Sequence, residues 1–353
     1  MKLFLIDSHE KRLYKNGIFD TKVDPYFIIW QNIKKYLLIK NITLDTIDLH
    51  SVEKADKIFF FDHQTFSLLN YKLSPYLKLC IQKKIPKEKL NLIITESPIM
   101  KPETWMIKNH QYYGKVFTWD DALVDNKKYF HYLWLQNIEY NKQAKVSFEN
   151  KKLIVLINAQ KTNYLPNELY SLRIKAIRYF EKKYPDDFDL YGVGWEKPLD
   201  LKFVYSALKS NPFKILIFLK DYVDSLRGFP SYKGKVVDKI STLARYKFCL
   251  CFENMKDIDG YITEKIFDCF KANCVPIYYG ASNISKYIPS DTFINFRQFK
   301  TFDEMYSHMI NMDKKTYNRY LISIKKFLKS NQLKKWNYQS YCSQVFLNNT
   351  IKK

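Results

Sequence analysis

The sequence predicts an α/β protein built from two doubly wound, Rossmann-like domains, and three observations carry that prediction. Short, wholly apolar runs bounded by polar residues recur along the chain, among them KIFFFD at 57–62, LNLIIT at 90–95 and LIVLINA at 153–159. Such runs suit strands of a parallel sheet covered on both faces, where no side chain meets water. The segments between them are long enough to be crossover helices. The alternation then stops at the polar stretch IEYNKQAKVSFENKK, 138–152, and starts again. That stretch reads as a linker, and 353 residues suffice for two full-sized cores.

The first domain, 1–150, opens with the strand MKLFLID. PYFIIWQNIKKYLLIKN carries helical spacing through Phe27, Trp30, Ile33, Tyr36 and Leu37. KIFFFD, a crossover helix within 64–84, LNLIIT and KVFTWDD at 115–121 follow. The second domain, 151–330, begins with LIVLINA. NELYSLRIKAIRYFEKKYP at 167–185 is a helix whose apolar side holds Leu169, Leu172, Ile174, Ile177 and Phe180, and Pro185 ends it. DFDLYGVGW is a strand, and 197–235 is basic and irregular. KVVDKISTLARY (helix), KFCLCFEN (strand), TEKIFDCFKAN (helix), VPIYYG (strand) and TFINF (strand) complete it. The chain from 303 is helical and basic, and 331–353 forms a basic, aromatic helical tail.

Lys and Arg number 58 against 36 acids, a formal charge of +22. Two explanations stay open: an anionic partner such as nucleic acid, an acidic membrane surface or a phosphorylated ligand, or a Lys-, Asn- and Ile-rich coding bias. Six cysteines, none in a Cys-x-x-Cys pair and several inside apolar runs, read as buried thiols of a reducing compartment. No apolar run approaches the ~20 residues that span a bilayer, so a cytoplasmic protein is expected.

In a doubly wound sheet, ligands bind beyond the carboxyl ends of the strands. In CLCFENMKDIDGYITEKIFDCFKANCVPIYYG, 249–280, that rule selects Glu253 and Asn254 at a strand's end. It also selects Glu264 and Lys265 in the first turn of a helix that Thr263 would cap. A helix N-terminus with a lysine favours an anion. The alternative is an ordinary helix start with a solvated lysine. Glu96 likewise follows the strand LNLIIT, where the plain reading is a surface carboxylate before a turn; Asp120, Asp121 and Glu253 are rival carboxylates. Asp257-Ile258-Asp259 has the Asp-x-Asp form of a metal site, while the six histidines lack ligand spacing.

The ordered series YKFCLCFEN, DGYITEKIFDCF, VPIYYGA and YIPSDTFINFRQF resembles the signature of the α-1,3/4-fucosyltransferases, glycosyltransferase family 10, in its bacterial form. Thr292 stands where that signature usually has Ser, and Gln298 where it has Asp. ELYSLRIKAIRYFEKKYPDDFDLYGVGW, YKGKVVDKISTLARYKF, TESPIMKPETW and GKVFTWDDALVDNKKYF extend the resemblance to roughly 90–300. It implies the GT-B fold, two facing Rossmann-like domains with a cleft between them. It implies an inverting transfer of fucose from GDP-fucose to an oligosaccharide or glycolipid acceptor containing N-acetylglucosamine or galactose, in surface polysaccharide synthesis. The implied base is Glu96. The implied donor-binding set is Arg173, Asn254, Tyr261, Glu264, Lys265, Lys239 and Glu253, with Lys235 as a further phosphate contact and Arg178 as the decoy for Arg173. Arg and Lys replace a metal, so no cofactor is expected. The basic tail would touch the inner face of the cytoplasmic membrane or pack on the first domain. A relative using another GDP-linked deoxyhexose or L-galactose is the alternative. Nucleic-acid binding is a remote one, for the chain has no recognised nucleic-acid module.

Overall fold

A computed structural model describes residues 1–23, 27–63, 73–137, 146–201 and 214–347. The chain forms two units, Met1–Ile138 with Asn331–Lys353, and Glu139–Ser330. The second unit thus starts before residue 151, and the closing stretch belongs to the first unit rather than standing as a separate tail.

The first unit holds a six-stranded parallel sheet in the order β2-β1-β3-β4-β5-β6. Its strands are β1 (Lys2–Asp7), β2 (Ile42–Thr46), β3 (Lys57–Phe61), β4 (Leu90–Ile93), β5 (Lys115–Thr118) and β6 (Tyr129–His131). Consecutive side chains on β3 show why its sequence is wholly apolar. Phe60 turns to Tyr113, 5.7 Å between ring centroids, and Phe59 turns the other way to Phe346, 4.7 Å. Both faces are covered, one of them by the C-terminal segment, so alternation is lost. Helix α1 (Ile28–Ile39) buries Ile29, Ile33 and Leu37, the expected helical spacing. Helix α2 (Pro75–Gln82) starts at Ser74, whose hydroxyl accepts from the Leu77 amide at 3.2 Å. Most of the rest of the crossover expected over 64–84, and the first part of the linker, lie outside the described residues.

Two strands escaped the sequence reading. β2, ITLDT, carries a buried aspartate: Asp45 pairs with Lys34 at 2.6 Å and His50 at 2.8 Å. A compensated charge thus breaks the apolar pattern. β6 is three residues long. Registering β2 beside β1 gives the doubly wound order 2-1-3-4-5-6, whose direction reverses between β1 and β3.

The second unit repeats this plan with five parallel strands in the order β8-β7-β9-β10-β11: β7 (Lys152–Ile157), β8 (Phe188–Tyr191), β9 (Tyr246–Phe252), β10 (Val275–Tyr279) and β11 (Ile294–Asn295). The order reverses between β7 and β9. Helix α3 (Tyr170–Lys183) packs Ala176, Ile177 and Phe180 against Phe188 and Phe248. The region read as irregular, 197–235, contains helix α4 (Lys214–Ser225). The helix expected over KVVDKISTLARY is only α5 (Lys239–Leu243), capped by Asp238. Helices α6 (Glu264–Lys271), α7 (Phe302–Ile310) and α8 (Lys314–Leu328) follow. The C-terminal segment returns to the first unit through α9 (Asn331–Lys334), α10 (Tyr338–Tyr341) and a π-helical turn at Cys342–Phe346. Trp336, Tyr341 and Phe346 are buried, and Tyr341 meets Trp30 edge-on at 6.0 Å.

Gly192 sits just beyond β8 at φ 137°, and a Cβ there would lie 1.8 Å from the Asn158 carbonyl oxygen. That close approach lets the same carbonyl accept from the Trp195 indole at 2.7 Å. Gly192→Ala is expected to cost about 2 kcal/mol or more, through strained backbone plus the clash, measured by urea denaturation.

Candidate functional site

In the second unit the corner selected from the sequence is organised by Glu253. It follows β9 directly and is fully buried. Its carboxylate accepts from the Thr263 amide (2.9 Å), the Thr263 hydroxyl (2.8 Å) and the Lys265 ammonium (3.0 Å). These ties and its full burial make Glu253 a positioning group for Thr263 and Lys265. Thr263 occupies the N-cap position of α6 but caps nothing with its side chain. Its hydroxyl instead accepts from Lys265 at 2.9 Å.

Arg173, on α3, is drawn to the same corner. Its Nη2 donates to the carbonyls of Phe252 (2.7 Å) and Glu253 (2.6 Å) and to Asn254 Oδ1 (3.1 Å). Those carbonyls terminate β9, and a guanidinium is the donor that can serve several at once. The guanidinium carbon lies 4.9 Å from the Tyr170 ring centre, and Nε is buried with no hydrogen-bond partner. Arg178, the decoy, is taken up by Glu181, Asp224 and the Gly228 carbonyl. The Tyr261 ring is closed off from solvent, at 1% exposure, beside Arg173 and Lys265.

Charge at the mouth of the corner is set by three neighbours. Burial alone would push the Glu264 carboxyl up; Lys265 and Lys239 override it and hold it down at about 2. Burial likewise works against the Lys265 ammonium, but Glu253 and Glu264 carry it well above the usual lysine range. Lys239 is also raised, by Asp268 at 2.8 Å and by Glu264, against the opposing effect of burial. Lys235 stands outside this group, exposed and 3.8 Å from Glu196. Behind the corner a cavity of about 20 Å³ is lined by Asn158, Lys239, Lys265, Cys251 and Cys269 among others. Asn158, just past β7, leaves its Oδ1 buried without a partner there. The cavity thus sits at the reversal between β7 and β9. All six cysteines are buried free thiols.

The Asp-x-Asp pair does not converge. Asp257 is engaged by Arg297 and by Lys256 (3.2 Å), and Asp259 accepts from the Ser282 hydroxyl.

In the first unit Glu96 lies three residues past β4 and is partly exposed. The sequence reading missed what holds it. Asp62, the residue after β3, is buried in left-handed backbone at φ 58°. Its carboxylate accepts from the Thr95 amide (2.9 Å), the Glu96 amide (3.2 Å) and the Thr95 hydroxyl. Burial pushes the Asp62 carboxyl up, and these donors pull it back only in part. The Glu96 carbonyl accepts from the Trp105 indole at 3.0 Å, fixing the turn from its other side. The Asp62 carbonyl in turn lies 3.1 Å from His9 Nε2, and His9 Nδ1 lies 3.0 Å from Asp7. Next to Asp62, burial and the nearby His110 and His9 push the His63 imidazole down to about 4, so it stays neutral. In the sequence FFFDH shows only an aspartate after an apolar strand, and it names no partner.

Two measurements follow from these geometries. The folded-state depression of Glu264 makes its stabilising contribution complete above the ordinary 4.5 and lost as pH falls through about 2. The melting-temperature gap between the parent and Glu264→Gln is therefore widest near neutral pH and closes towards acid; a gap independent of pH refutes it. Asp62→Ala strands two backbone amides and is expected to cost about 1–3 kcal/mol in urea denaturation. Asp62→Asn, which keeps an acceptor oxygen and tolerates the left-handed backbone, is expected to retain most of the stability.

Comparisons with known proteins find similarity to fucosyltransferases. Residues 210–351 match the family model for the glycosyltransferase family 10 (fucosyltransferase) C-terminal domain. The chain is 32% identical to an alpha-(1,3)-fucosyltransferase FucT of Helicobacter pylori over 149 residues, 39% of this chain and 30% of that one. It is 40% identical to a 4-galactosyl-N-acetylglucosaminide 3-alpha-L-fucosyltransferase 9 of Mus musculus over 77 residues, 21% of each chain. These matches span about a third or less of the curated relatives' length. A crystal structure of an alpha1,3-fucosyltransferase with GDP superposes with a TM-score of 0.54 at 14% identity, covering 99% of this chain and 91% of that one. At that identity the likeness shows the fold: the two parallel α/β units are those of the GT-B class.

Proposed function

The chain belongs to glycosyltransferase family 10, the fucosyltransferase family, and from that premise we propose that it is an inverting fucosyltransferase using GDP-fucose. The observation that carries the reading is the Glu253-centred corner, which assembles Arg173, Lys239, Lys265 and Glu264 at the reversal point of the second sheet. Cations beside a helix N-terminus suit a diphosphate. An ionised, partly exposed Glu264 suits a hydroxyl pair such as that of ribose. Asn254 and Tyr261 complete the donor set.

In this reading Glu96 removes the proton from the acceptor hydroxyl as its oxygen attacks the anomeric carbon. The bond to the diphosphate oxygen breaks on the opposite face, and configuration inverts in one displacement. The departing GDP gains negative charge, and Arg173 and Lys265 stabilise that charge as it develops. They take the place a divalent ion would hold, so no metal is required. The acceptor is a glycan bearing N-acetylglucosamine or galactose, linked α-1,3 or α-1,4, in a surface polysaccharide assembled at the cytoplasmic side. The naming of the relatives supports a galactosyl-N-acetylglucosamine unit.

Incubation with GDP-fucose and a panel of acceptor disaccharides, followed by linkage analysis of the product, tests the reaction. A panel of other GDP-linked deoxyhexoses and GDP-L-galactose tests the donor sugar, which the corner as described would tolerate equally. Glu96→Gln is expected to keep donor affinity and lose about 10²–10⁴-fold in turnover, the usual worth of a general base. Lys265→Ala is expected to lose both. Near-normal turnover in Glu96→Gln would overturn the assignment of the base.

A further inference from the structure

The aromatic residues that drew attention to the C-terminal segment are spent on packing: Trp336, Tyr341 and Phe346 are all buried. Large apolar side chains are exposed elsewhere, on α4. Leu216, Leu219, Val223 and Leu226 are 68%, 48%, 57% and 56% exposed. Their 3-4-3 spacing puts them in one stripe along α4 and its C-terminal extension. The opposite side of the helix is anchored: Phe218 is fully buried against Tyr164 and Leu199, and the buried Ser225 hydroxyl accepts from the Leu199 amide at 2.9 Å. The stripe is therefore held outward by packing behind it.

The charges on α4 are sorted by sign. Asp224 pairs with Arg178 at 2.7 Å and more loosely with the exposed Arg227 at 3.8 Å, and Asp221 accepts from the Tyr164 hydroxyl at 3.4 Å, so both acids are engaged. Lys220 and Arg227 fall within about 40° of Leu216 on a helix of 3.6 residues per turn. The stripe is thus apolar with a basic margin, on a chain of net charge +22.

We propose that α4 is a docking surface for an anionic phospholipid bilayer, its leucine stripe entering the acyl boundary and its basic margin resting on the headgroups. An apolar helical face beside Lys and Arg is the composition that lies in a bilayer interface. The same 3-4-3 spacing would serve a helix of a second copy. Two like-charged margins on chains of the same strong charge oppose that pairing, while an acidic surface matches them. The docking is independent of the transfer reaction and places the enzyme where a lipid-linked acceptor is presented.

The test is co-sedimentation of the full chain with vesicles of phosphatidylcholine alone or with about 30% phosphatidylglycerol, at low and high salt. Binding is expected to the acidic vesicles, weakening as salt rises. Leu219→Glu with Val223→Glu, both exposed positions, is expected to lower it by about tenfold or more. Melting temperature and transfer to a soluble acceptor should remain at parental values. Lys220→Glu with Arg227→Glu, which leaves the stripe intact, should weaken binding to acidic vesicles alone. The proposal fails if the parent ignores acidic vesicles, or if the stripe variant binds them as the parent does. A parent dimer in size-exclusion chromatography that the stripe variant converts to a monomer would assign the face to a second copy and overturn the proposal as well.

Discussion

One buried carboxylate constrains the second unit's functional corner. Glu253 has lost its water entirely, and a charge in that position is tolerable only when fully paired. Three donors supply the pairing, and in doing so they fix the start of α6 and the place of Lys265. Arg173 closes the arrangement by binding the carbonyl of the same residue. Even Gly280 is part of the constraint, because a Cβ there would lie 2.5 Å from Glu253 Cγ and from the Tyr278 hydroxyl. Removing Glu253 would strip Lys265 of its close carboxylate and leave the Thr263 amide unpaired, so the group is not separable from its surroundings.

The first unit repeats the device in a different residue. Asp62 follows β3 as Glu253 follows β9, and each strand is the third of its unit, bordering the reversal in strand order. Each carboxylate is buried and each accepts backbone amides from the segment that carries a candidate site residue: those of Thr95 and Glu96 in one, that of Thr263 in the other. The difference lies in the third donor. Beside one amide and one hydroxyl apiece, Glu253 takes an ammonium, whereas Asp62 takes a second amide, from Glu96, and remains pushed up by burial. The doubly wound order thus gives both sheets the same place for a site, and a single acidic residue at the strand end converts the place into a geometry.

Much of this was legible in the sequence. Strands buried on both faces announce themselves as unbroken apolar runs, and β3, β4, β7, β9 and β10 were all placed that way. The corner residues were found because the strand-end rule and an ordered signature select the same stretch. What escaped was context that no local pattern carries. β2 hides behind a compensated aspartate, and without it the reversal in the first sheet is invisible. α4 escaped because its outward face is as apolar as its inward one, so helical periodicity is blurred. The burial of Glu253 escaped because a carboxylate at a strand end looks the same in sequence whether it faces solvent or not. Asp62 had no sequence signal linking it to residues 33 and 34 positions away.

The internal pairing of the cations bears on how a diphosphate could bind them. A lysine ammonium has three protons, and Lys265 spends two, on Glu253 and on the Thr263 hydroxyl. Its remaining direction lies towards Glu264, whose oxygen at 3.8 Å is beyond hydrogen-bond reach. Arg173 commits Nη2 to the strand end, while Nε has no partner. Each cation is therefore oriented by some of its donors and keeps others in reserve. A proposed diphosphate need not break the Glu253 pair to be held; it needs only to take the donors left over. That is the condition for electrostatic stabilisation without reorganisation, since the dipoles that will meet the departing charge are already fixed before it forms. The buried glutamate, which by itself would repel a phosphate, instead makes the lysine's orientation permanent.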